Sequence, residues 1–146
     1  MAYAQEFVVR FGDVDHARVV YLPRYFHYFH QTFESWFGDA VGVSYVALVT
    51  DRNLGFPSVR LDTEFRNPLR YGDKVRVELE LAEVGHRSIT VRYTAVRLPD
   101  EVVAARATIK TVVIDNDTFA SVSIPGDVRA RLETLQSSGH SREADE

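Results

Sequence analysis

The sequence predicts an α+β fold in which a long central helix is wrapped by an antiparallel sheet of five or six strands. The first observation is an early aromatic-rich segment with apolar residues every three or four positions, the spacing of one helix face. The second is a series of later segments in which apolar and polar residues alternate, as in strands with one buried face. The third is that short turns join these segments, which favours antiparallel pairing.

The first predicted element is a strand over residues 3–11, because apolar or aromatic residues recur there at alternate positions. A loop from Gly12 to Val20 follows. The helix is predicted from Leu22 to Phe37, with Pro23 in its first turn, where a missing N–H costs nothing, and Gly38 as its stop. Its apolar stripe consists of Leu22, Phe26, Phe29, Phe33 and Trp36, widened by Tyr25 and Phe37.

A second, shorter helix is predicted near residues 43–51, and four alternating strands come after it. These strands are expected near residues 59–66, 75–82, 88–95 and 103–114. A wide aromatic stripe needs a large apolar partner, and the apolar face of this sheet is the simplest one. A last helix is predicted over residues 127–136, so a single domain would span residues 1–136, followed by a disordered tail at 137–146.

Composition narrows the classes of function. The chain has 146 residues, which suits one domain, and a formal net charge of −4, which gives no support for nucleic-acid binding. The absence of Cys excludes disulfides and a Cys nucleophile. No run is apolar enough to span a membrane and the N-terminus has no signal-peptide pattern, so we expect a soluble, cytoplasmic protein without a membrane partner.

Two aspartates, Asp13 and Asp15, lie in the loop before the long helix. Both could simply cap turns, a common use of aspartate. A helix start, however, also presents unpaired N–H groups that can hold negative charge on a substrate. His27 and His30 stand three residues apart, a spacing that could chelate a metal, but no third ligand is evident and no metal site is predicted.

The segment FGDVDHARVVYLPRYFHYF, residues 11–29, resembles the signature of 4-hydroxybenzoyl-CoA thioesterases and related acyl-CoA thioesterases. That pattern is roughly Asp-x-Asp-x-x-Gly-x-Val-(Tyr/Trp) before a helix containing Tyr-x-x-(Tyr/Trp/Phe). The segment NPLRYGDKVRVELEL, residues 67–81, is similar to the turn that precedes the family's central strands. The resemblance extends from Gln5 to Ile114 and implies the hotdog fold, a long helix wrapped by an antiparallel sheet.

The resemblance implies that Asp15 is the catalytic carboxylate, acting either as nucleophile on a thioester or as general base for water. The backbone N–H of Leu22 would stabilise the oxyanion. His16 would either assist proton transfer or be a tolerated loop residue, and His30 would either support the site or be a solvated helix residue. The substrate-binding residues implied are Tyr21, Tyr25, Arg87 and Ser88. The last two would either bind the nucleotide of coenzyme A or belong to a solvated turn.

The family usually has Gly where this chain has Arg18, so the loop is expected to differ, or Arg18 to contact the ligand or pair with Asp13. No cofactor is implied, because coenzyme A is part of the substrate. A homodimer or homotetramer with active sites between subunits is expected. The fold also hosts proteins that bind acyl-CoA without catalysis, and this is the alternative function. Replacing Asp15 with Asn would separate the two.

Overall fold

The computed structural model describes residues 3–145, and their side chains as far as residue 137. The main helices and strands of this part of the chain follow one another in a simple order. They are β1 (Tyr3–Val8), α1 (Leu22–Trp36), β2 (Leu54–Gly55), β3 (Ser58–Phe65), β4 (Lys74–Val84), β5 (Ser88–Leu98), β6 (Val102–Val112), β7 (Ile114–Asp115) and α2 (Gly126–Asp145).

Five strands form one antiparallel sheet in the order β1-β4-β5-β6-β3, and β2 pairs with β7 in a separate two-stranded ladder. The hairpins β4–β5 and β5–β6 follow from short turns, as predicted. The strand β3 comes before β4 in the chain but pairs with β6 at the far edge. The predicted architecture of a long helix on a five-stranded antiparallel sheet is confirmed.

The helix α1 lies across the inner face of the sheet. Its Phe29 is 1% exposed and stacks on Tyr93 of β5, with ring centroids 4.8 Å apart and planes inclined by 17°. Burial of one such ring stabilises the fold by about 1.5–3 kcal/mol. The inner positions of β4 and β5 alternate as the sequence predicted, and Val75, Val77 and Val91 are fully buried.

The buried face of α1 is rotated from the predicted stripe. Leu22 is 52% exposed, whereas Tyr28, which the stripe left out, is 5% exposed. Tyr28 is drawn inward because its ring contacts Phe7 of β1, at a centroid distance of 5.2 Å, and its hydroxyl bonds to the loop. Leu22 is exposed because the first helical turn opens onto a surface cleft.

The predicted stop of the helix at Gly38 is wrong. The helical path continues as a wider π turn, Phe37–Val41, and ends at Gly42, which has a φ of 84°. Phe37 and Val41 are both fully buried, so the extra turn is retained by packing. Gly42 ends it because glycine adopts the left-handed conformation without steric cost. A further helical turn, Ala47–Asp51, corresponds to the predicted short helix.

The edge strand β3 differs from the other strands because its apolar face is uncovered. Val59, Leu61 and Phe65 are 57%, 52% and 45% exposed, although they alternate as an inward-facing set. The opposite edge of the strand has no partner among the described residues. An exposed apolar edge strand favours pairing with another chain.

The C-terminal helix α2 begins at Gly126, close to the predicted start, and its backbone is helical to Asp145. The helical backbone therefore continues past the predicted boundary at residue 136. This is consistent with the sequence, because residues 127–145 contain no proline that would interrupt a helix. The side chains of residues 138–146 lie outside the described residues, so disorder of the predicted tail, residues 137–146, and the domain limits stay predictions. None of the helices in the described part of the chain has the length and hydropathy of a membrane span.

Candidate active site

The loop before α1 is a closed turn stabilised by backbone hydrogen bonds. The Asp15 N–H donates to the Val19 carbonyl at 3.0 Å, and the Arg18 N–H donates to the Asp15 carbonyl at 2.9 Å. Arg18 has a φ of 65°, the left-handed conformation for which glycine is favoured. The chain therefore keeps the turn that the resemblance associates with Gly, and it does so with a strained arginine.

Asp13 is used by the loop itself. Its Oδ2 accepts hydrogen bonds from the Arg10 N–H at 2.9 Å and from the Tyr28 hydroxyl at 2.7 Å. Arg24 lies 3.8 Å from its Oδ1. Burial alone would raise the pKa of Asp13, but the bonds from Arg10 and Tyr28 and the Arg24 charge together lower that pKa below its usual value. The expected alternative of Arg18 pairing with Asp13 is not found, because Arg24 takes that position.

Asp15 is left with more freedom than Asp13. Its Oδ1 accepts a hydrogen bond from the Ala17 N–H at 2.8 Å, which fixes the direction of the carboxylate. Among the described residues, its second oxygen has no hydrogen-bond partner, and the residue is exposed. Asp15 can therefore offer one oxygen to water or substrate while the other holds it in place.

The start of α1 is anchored on both sides of the loop. The Val20 N–H donates to the Leu69 carbonyl at 2.8 Å, and the Tyr21 N–H donates to the Asp13 carbonyl at 2.8 Å. The next amide, the Leu22 N–H, makes no hydrogen bond to any described residue, as expected for the first residue of a helix. Since Pro23 has no N–H, Leu22 offers the first unpaired donor of the helix.

A cleft of about 400 Å³ brings the carboxylate and the helix start together. Asp15 and Leu22 both line it, together with Tyr25 of α1 and Phe65 of β3. The rings of Tyr25 and Phe65 meet edge to face at a centroid distance of 5.1 Å. Burial raises the pKa of Tyr25, although a hydrogen bond with Leu69 lowers it in part, so this phenol is neutral at physiological pH. We name this space the helix-start cleft.

A second cleft, of about 560 Å³, lies on the other side of the same carboxylate. Asp15 lines it too, so this residue stands where the two clefts meet. The other residues that line it are Gly12, Val14, Tyr21, Pro23, Arg24 and His27. We name it the outer cleft, and it combines one free carboxylate with two basic side chains.

A third space, of about 150 Å³, lies between the middle of α1 and the edge of the sheet. Its walls are largely aromatic and include Phe26, Phe29, Phe33 and Phe56. His30 stands at its border, with its Nδ1 3.3 Å from Glu34 Oε1. Its size matches a single aromatic ring, since an apolar cavity of about 150 Å³ is known to hold benzene. We name it the aromatic cavity.

The structure does not bring all of the predicted site residues together. Asp15, Leu22, Tyr21 and Tyr25 surround the helix start, whereas His30 lies two turns further along α1. His16 is exposed and lines none of the three spaces.

Arg87 and Ser88 lie at the other end of the sheet. Ser88 pairs with Val112, whereas the strand ends nearest the loop are those where Val8 pairs with Lys74. Arg87 donates to Ser121 Oγ at 3.2 Å, so its guanidinium is partly engaged. At about 3.3 Å per residue, the length of β5 separates this turn from the Asp15 end by more than 20 Å. The two groups cannot meet on one small ligand within one protomer.

The outer cleft contains two residues that the sequence did not indicate as site residues. Arg24 and His27 are three residues apart on α1 and so share a face of the helix. That spacing was visible, but the two side chains lie on the polar side of the helix, which the sequence assigned to solvent.

Comparisons with known proteins identify the family of this chain. The family model of the thioesterase-like superfamily matches residues 9–132. The 1,4-dihydroxy-2-naphthoyl-CoA hydrolase of Nostoc punctiforme is 28% identical over 134 residues, covering 92% of this chain and 88% of the relative.

Solved structures show the same fold. A 1,4-dihydroxy-2-naphthoyl-CoA thioesterase from Synechocystis superimposes with a TM-score of 0.82 at 21% identity, covering 93% of this chain and 98% of the other. A gentisyl-coenzyme A thioesterase superimposes with a TM-score of 0.78 at 26% identity, covering 86% and 98%. The hotdog fold is therefore confirmed, while membership of the 4-hydroxybenzoyl-CoA branch stays a prediction. The chain belongs to the thioesterase-like superfamily and is a thioester hydrolase.

Proposed function

We propose that this protein is an acyl-CoA thioesterase in which Asp15 is the catalytic carboxylate and the Leu22 N–H is the oxyanion donor. The single observation that supports this best is that both groups line the helix-start cleft. The other carboxylate of the loop, Asp13, is occupied by structural hydrogen bonds. The acyl-CoA hydrolase and thioesterase names of similar proteins favour hydrolysis over the alternative of a binding-only protein.

In the general-base route, the free oxygen of Asp15 takes a proton from a water molecule as that water adds to the thioester carbonyl carbon. The negative charge that forms on the carbonyl oxygen is stabilised by the Leu22 N–H and by the positive end of α1. The carbon–sulfur bond then breaks. The proton on Asp15 passes to the departing thiolate, which leaves a free acid and coenzyme A.

In the nucleophilic route, the same oxygen attacks the carbonyl carbon directly and the thiolate departs, which leaves a mixed anhydride on Asp15. Water then hydrolyses the anhydride and restores the carboxylate. The two routes differ in one isotope experiment. A single turnover in ¹⁸O-labelled water leaves the label in the product acid if Asp15 is a base, and in the Asp15 carboxylate if water opens the anhydride at the aspartyl carbon.

The acyl group requires an apolar site, and we propose that the aromatic cavity supplies it. Within one protomer, this cavity is centred about two helical turns from Leu22, or roughly 12 Å at 1.5 Å per residue. A single ring attached to the thioester carbonyl cannot bridge that distance. One protomer alone therefore does not explain how the carbonyl and the ring bind together.

Pairing of two copies through β3 resolves this mismatch. An antiparallel pair of identical strands about a two-fold axis places the start of one strand beside the end of the other. The aromatic cavity lies near the start of β3, at Ser58, and the helix-start cleft lies near its end, at Phe65. We propose that each active site combines the cleft of one subunit with the aromatic cavity of its partner.

The exposed Val59, Leu61 and Phe65 would be covered in this dimer. Changing Leu61 to Asp should therefore shift the protein toward monomers in analytical ultracentrifugation and reduce hydrolysis in parallel. The matched control is Phe119→Asp, since Phe119 is an exposed apolar residue that does not belong to β3. A monomeric wild-type protein with full activity would contradict this arrangement.

The same two-fold axis carries Arg87 and Ser88 to the end of the sheet that faces the partner's loop. Their predicted role in binding the nucleotide is retained as a proposal for the partner's substrate. Cytoplasmic localisation and the absence of a cofactor remain part of the same proposal.

The test of the proposed function is hydrolysis of a panel of acyl-CoA thioesters by wild type and by Asp15→Asn. We expect turnover to fall about 10³-fold, because general-base groups contribute about 10²–10⁴-fold and the nucleophile would be lost as well. Asp51→Asn changes an exposed carboxylate on another surface and should leave turnover unchanged. Full activity of Asp15→Asn, with an unchanged melting temperature, would overturn the assignment of this residue.

Substrate size is tested in the same panel. The aromatic cavity predicts that benzoyl-type and short acyl thioesters are hydrolysed with higher kcat/KM than a two-ring naphthoyl thioester. A clear preference for the naphthoyl thioester would show that the cavity enlarges in the dimer or is not the acyl site.

A further inference from the structure

The helix-start cleft contains a polar side chain that neither hydrolysis route uses. It is Asn67, which lies two residues after the end of β3 and lines the cleft together with Asp15 and Leu22. The backbone of this segment is tied to the catalytic loop, since the Val20 N–H donates to the Leu69 carbonyl at 2.8 Å. Asn67 therefore keeps a fixed place near the start of α1.

Two hydrogen bonds to β6 orient Asn67. Its Nδ2 donates to the Val103 carbonyl at 2.7 Å, and its backbone N–H donates to the Ala104 carbonyl at 3.2 Å. Because a carbonyl can only accept, the first bond identifies the nitrogen end of the side-chain amide. The oxygen end is therefore turned away from Val103, and Oδ1 can only accept.

This oxygen is unpaired and accessible. Asn67 Oδ1 accepts no hydrogen bond from a described residue. Among the described side chains that are at least partly buried, Thr63 Oγ1 is the one polar atom that is both covered and unpaired. Since Asn67 is half-buried and its Oδ1 is not such an atom, this oxygen reaches solvent.

A second asparagine provides a contrast. Asn116 also uses its Nδ2 to bind a backbone carbonyl, that of Leu54, at 2.9 Å. Its Oδ1, however, lies so close to Gly55 that a β-carbon at that position would collide with it. Asn116 thus joins two segments with its oxygen covered, whereas Asn67 joins two segments and keeps an accessible acceptor in the wall of the cleft.

Hydrolysis needs such an acceptor. A water molecule has two O–H groups, and in the general-base route the free oxygen of Asp15 takes the proton of one of them. The Leu22 N–H is a donor and cannot bind the other. Of the described residues that line the cleft, Asp15 and Asn67 are the two whose side chains carry an oxygen without a hydrogen. We propose that Asn67 Oδ1 binds the second O–H group of the hydrolytic water and so positions this water between Asp15 and the thioester carbonyl.

This inference rests on the proposed function, because it needs the thioester at Asp15. As the bond between the water oxygen and the carbonyl carbon forms, the first proton passes to Asp15. The second proton stays on the oxygen and becomes the hydroxyl of the product acid. Asn67 exchanges no proton, so it is a positioning residue, and its effect is to orient the attacking oxygen. In the nucleophilic route, the same contact orients the water that opens the anhydride.

Methanol distinguishes this role from a structural one, because methanol has one O–H group where water has two. Its proton goes to Asp15, and its methyl group needs no acceptor. The panel thioester with the highest kcat/KM is turned over in buffer that contains methanol, and the free acid and the methyl ester are quantified by chromatography. In Asn67→Leu, acid formation should fall about 10-fold, the equivalent of one hydrogen bond, with an unchanged KM. Ester formation should stay nearly constant, so the ratio of ester to acid should rise about 10-fold.

Leucine has the branched shape of asparagine without an acceptor, so extra space for methanol cannot explain a changed ratio. The ratio is also independent of how much of a variant is folded. Asn67→Ala should give the same shift, whereas Asn116→Ala, which removes a comparable bond from amide to carbonyl, should leave the ratio unchanged. An unchanged ratio in the Asn67 variants, an equal shift in Asn116→Ala, or a raised KM with an unchanged kcat would overturn the inference.

Asp15→Asn separates the inference from the proposed function. Acid and ester should both fall about 10³-fold in this variant, because water and methanol depend on the same carboxylate. If they do so while Asn67→Leu leaves the ratio unchanged, the proposed function holds and the inference alone is wrong. If Asp15→Asn keeps full activity, or if wild type hydrolyses no thioester, the proposed function fails and the inference fails with it.

Discussion

The two aspartates of the loop before α1 are separated by one residue and have opposite environments. Asp13 directs its carboxylate into the protein, where a backbone N–H, a tyrosine hydroxyl and an arginine surround it. Asp15 faces two clefts, and among the residues that the structure describes its carboxylate accepts a hydrogen bond only from the Ala17 N–H. The difference shows that a satisfied carboxylate stabilises the loop, whereas a carboxylate with a free oxygen remains available for chemistry.

The hydrogen bonds of Asp13 also account for the position of Asp15. The bonds to Asp13 tie the start of the loop to the middle of α1 through Tyr28 and to the helix start through the Tyr21 N–H. This anchoring positions the following turn, so Asp15 can stand beside Leu22 without being held by many partners of its own. The anchored Asp13 thus keeps the loop in place while the carboxylate of Asp15 stays exposed.

The largest difference in the free energy of unfolding is expected between the alanine variants of Asp13 and Asp15. Asp13→Ala leaves the Arg10 N–H and the Tyr28 hydroxyl without their acceptor, so the free energy of unfolding should fall by about 2–4 kcal/mol. Asp15→Ala removes one exposed hydrogen bond and should cost about 1 kcal/mol or less. Urea denaturation of both variants measures this. Equal losses would show that Asp15 is a structural residue like its neighbour.

The stability that Asp13 gives to the loop should depend on pH. Because the pKa of Asp13 is lowered on folding, the unfolded chain binds its proton first as pH falls. The stability that Asp13 provides is therefore present above its ordinary pKa of 3.8 and is lost as pH falls from there through the lower native value. Urea denaturation from neutral pH to about pH 3 should show a shallower decline for Asp13→Asn than for wild type. Identical slopes would contradict the lowered pKa.

A smaller and more selective change is Tyr28→Phe. The ring keeps its contact with Phe7, but the hydrogen bond to Asp13 is lost. The free energy of unfolding should fall by about 1.5 kcal/mol, as is usual for a hydrogen bond to a charged group. In Asp13→Ala the bond is already absent, so Tyr28→Phe should cost almost nothing in that background. A double-mutant cycle measures this, and a full second loss would show that Tyr28 acts through another contact.

Much of the fold was predictable because it follows from periodicity. The aromatic spacing predicted α1 and the alternating runs predicted β4, β5 and β6, since each element has one buried face. The end of α1 was not predictable, because Gly38 and Gly42 look alike in sequence and only packing of Phe37 and Val41 decides between them. The exposure of β3 was not predictable either, because an alternating pattern predicts an apolar face but not whether the same chain or another one covers it.

The candidate site was predictable in its parts but not in its arrangement. The family resemblance of the loop pattern predicted Asp15 and Leu22 as site residues, whereas spacing alone could not distinguish Asp15 from Asp13. That distinction depends on Tyr28, which is 15 residues away in the chain from Asp13. The separation of Arg87 from Asp15 likewise depends on strand register.

The smallest predicted effect concerns Arg18, which closes the turn after Asp15 at a φ of 65°. A non-glycine residue pays about 1 kcal/mol in this conformation, but glycine also loses more backbone entropy on folding. Arg18→Gly should therefore raise the free energy of unfolding by only about 0.5 kcal/mol. Arg18→Val should lower it by about 1 kcal/mol, because a β-branched residue fits this conformation poorly. Urea denaturation of the two variants tests whether the turn beside Asp15 is strained. If valine is tolerated as well as glycine, the left-handed turn does not persist in solution, and the open position of Asp15 must have another cause.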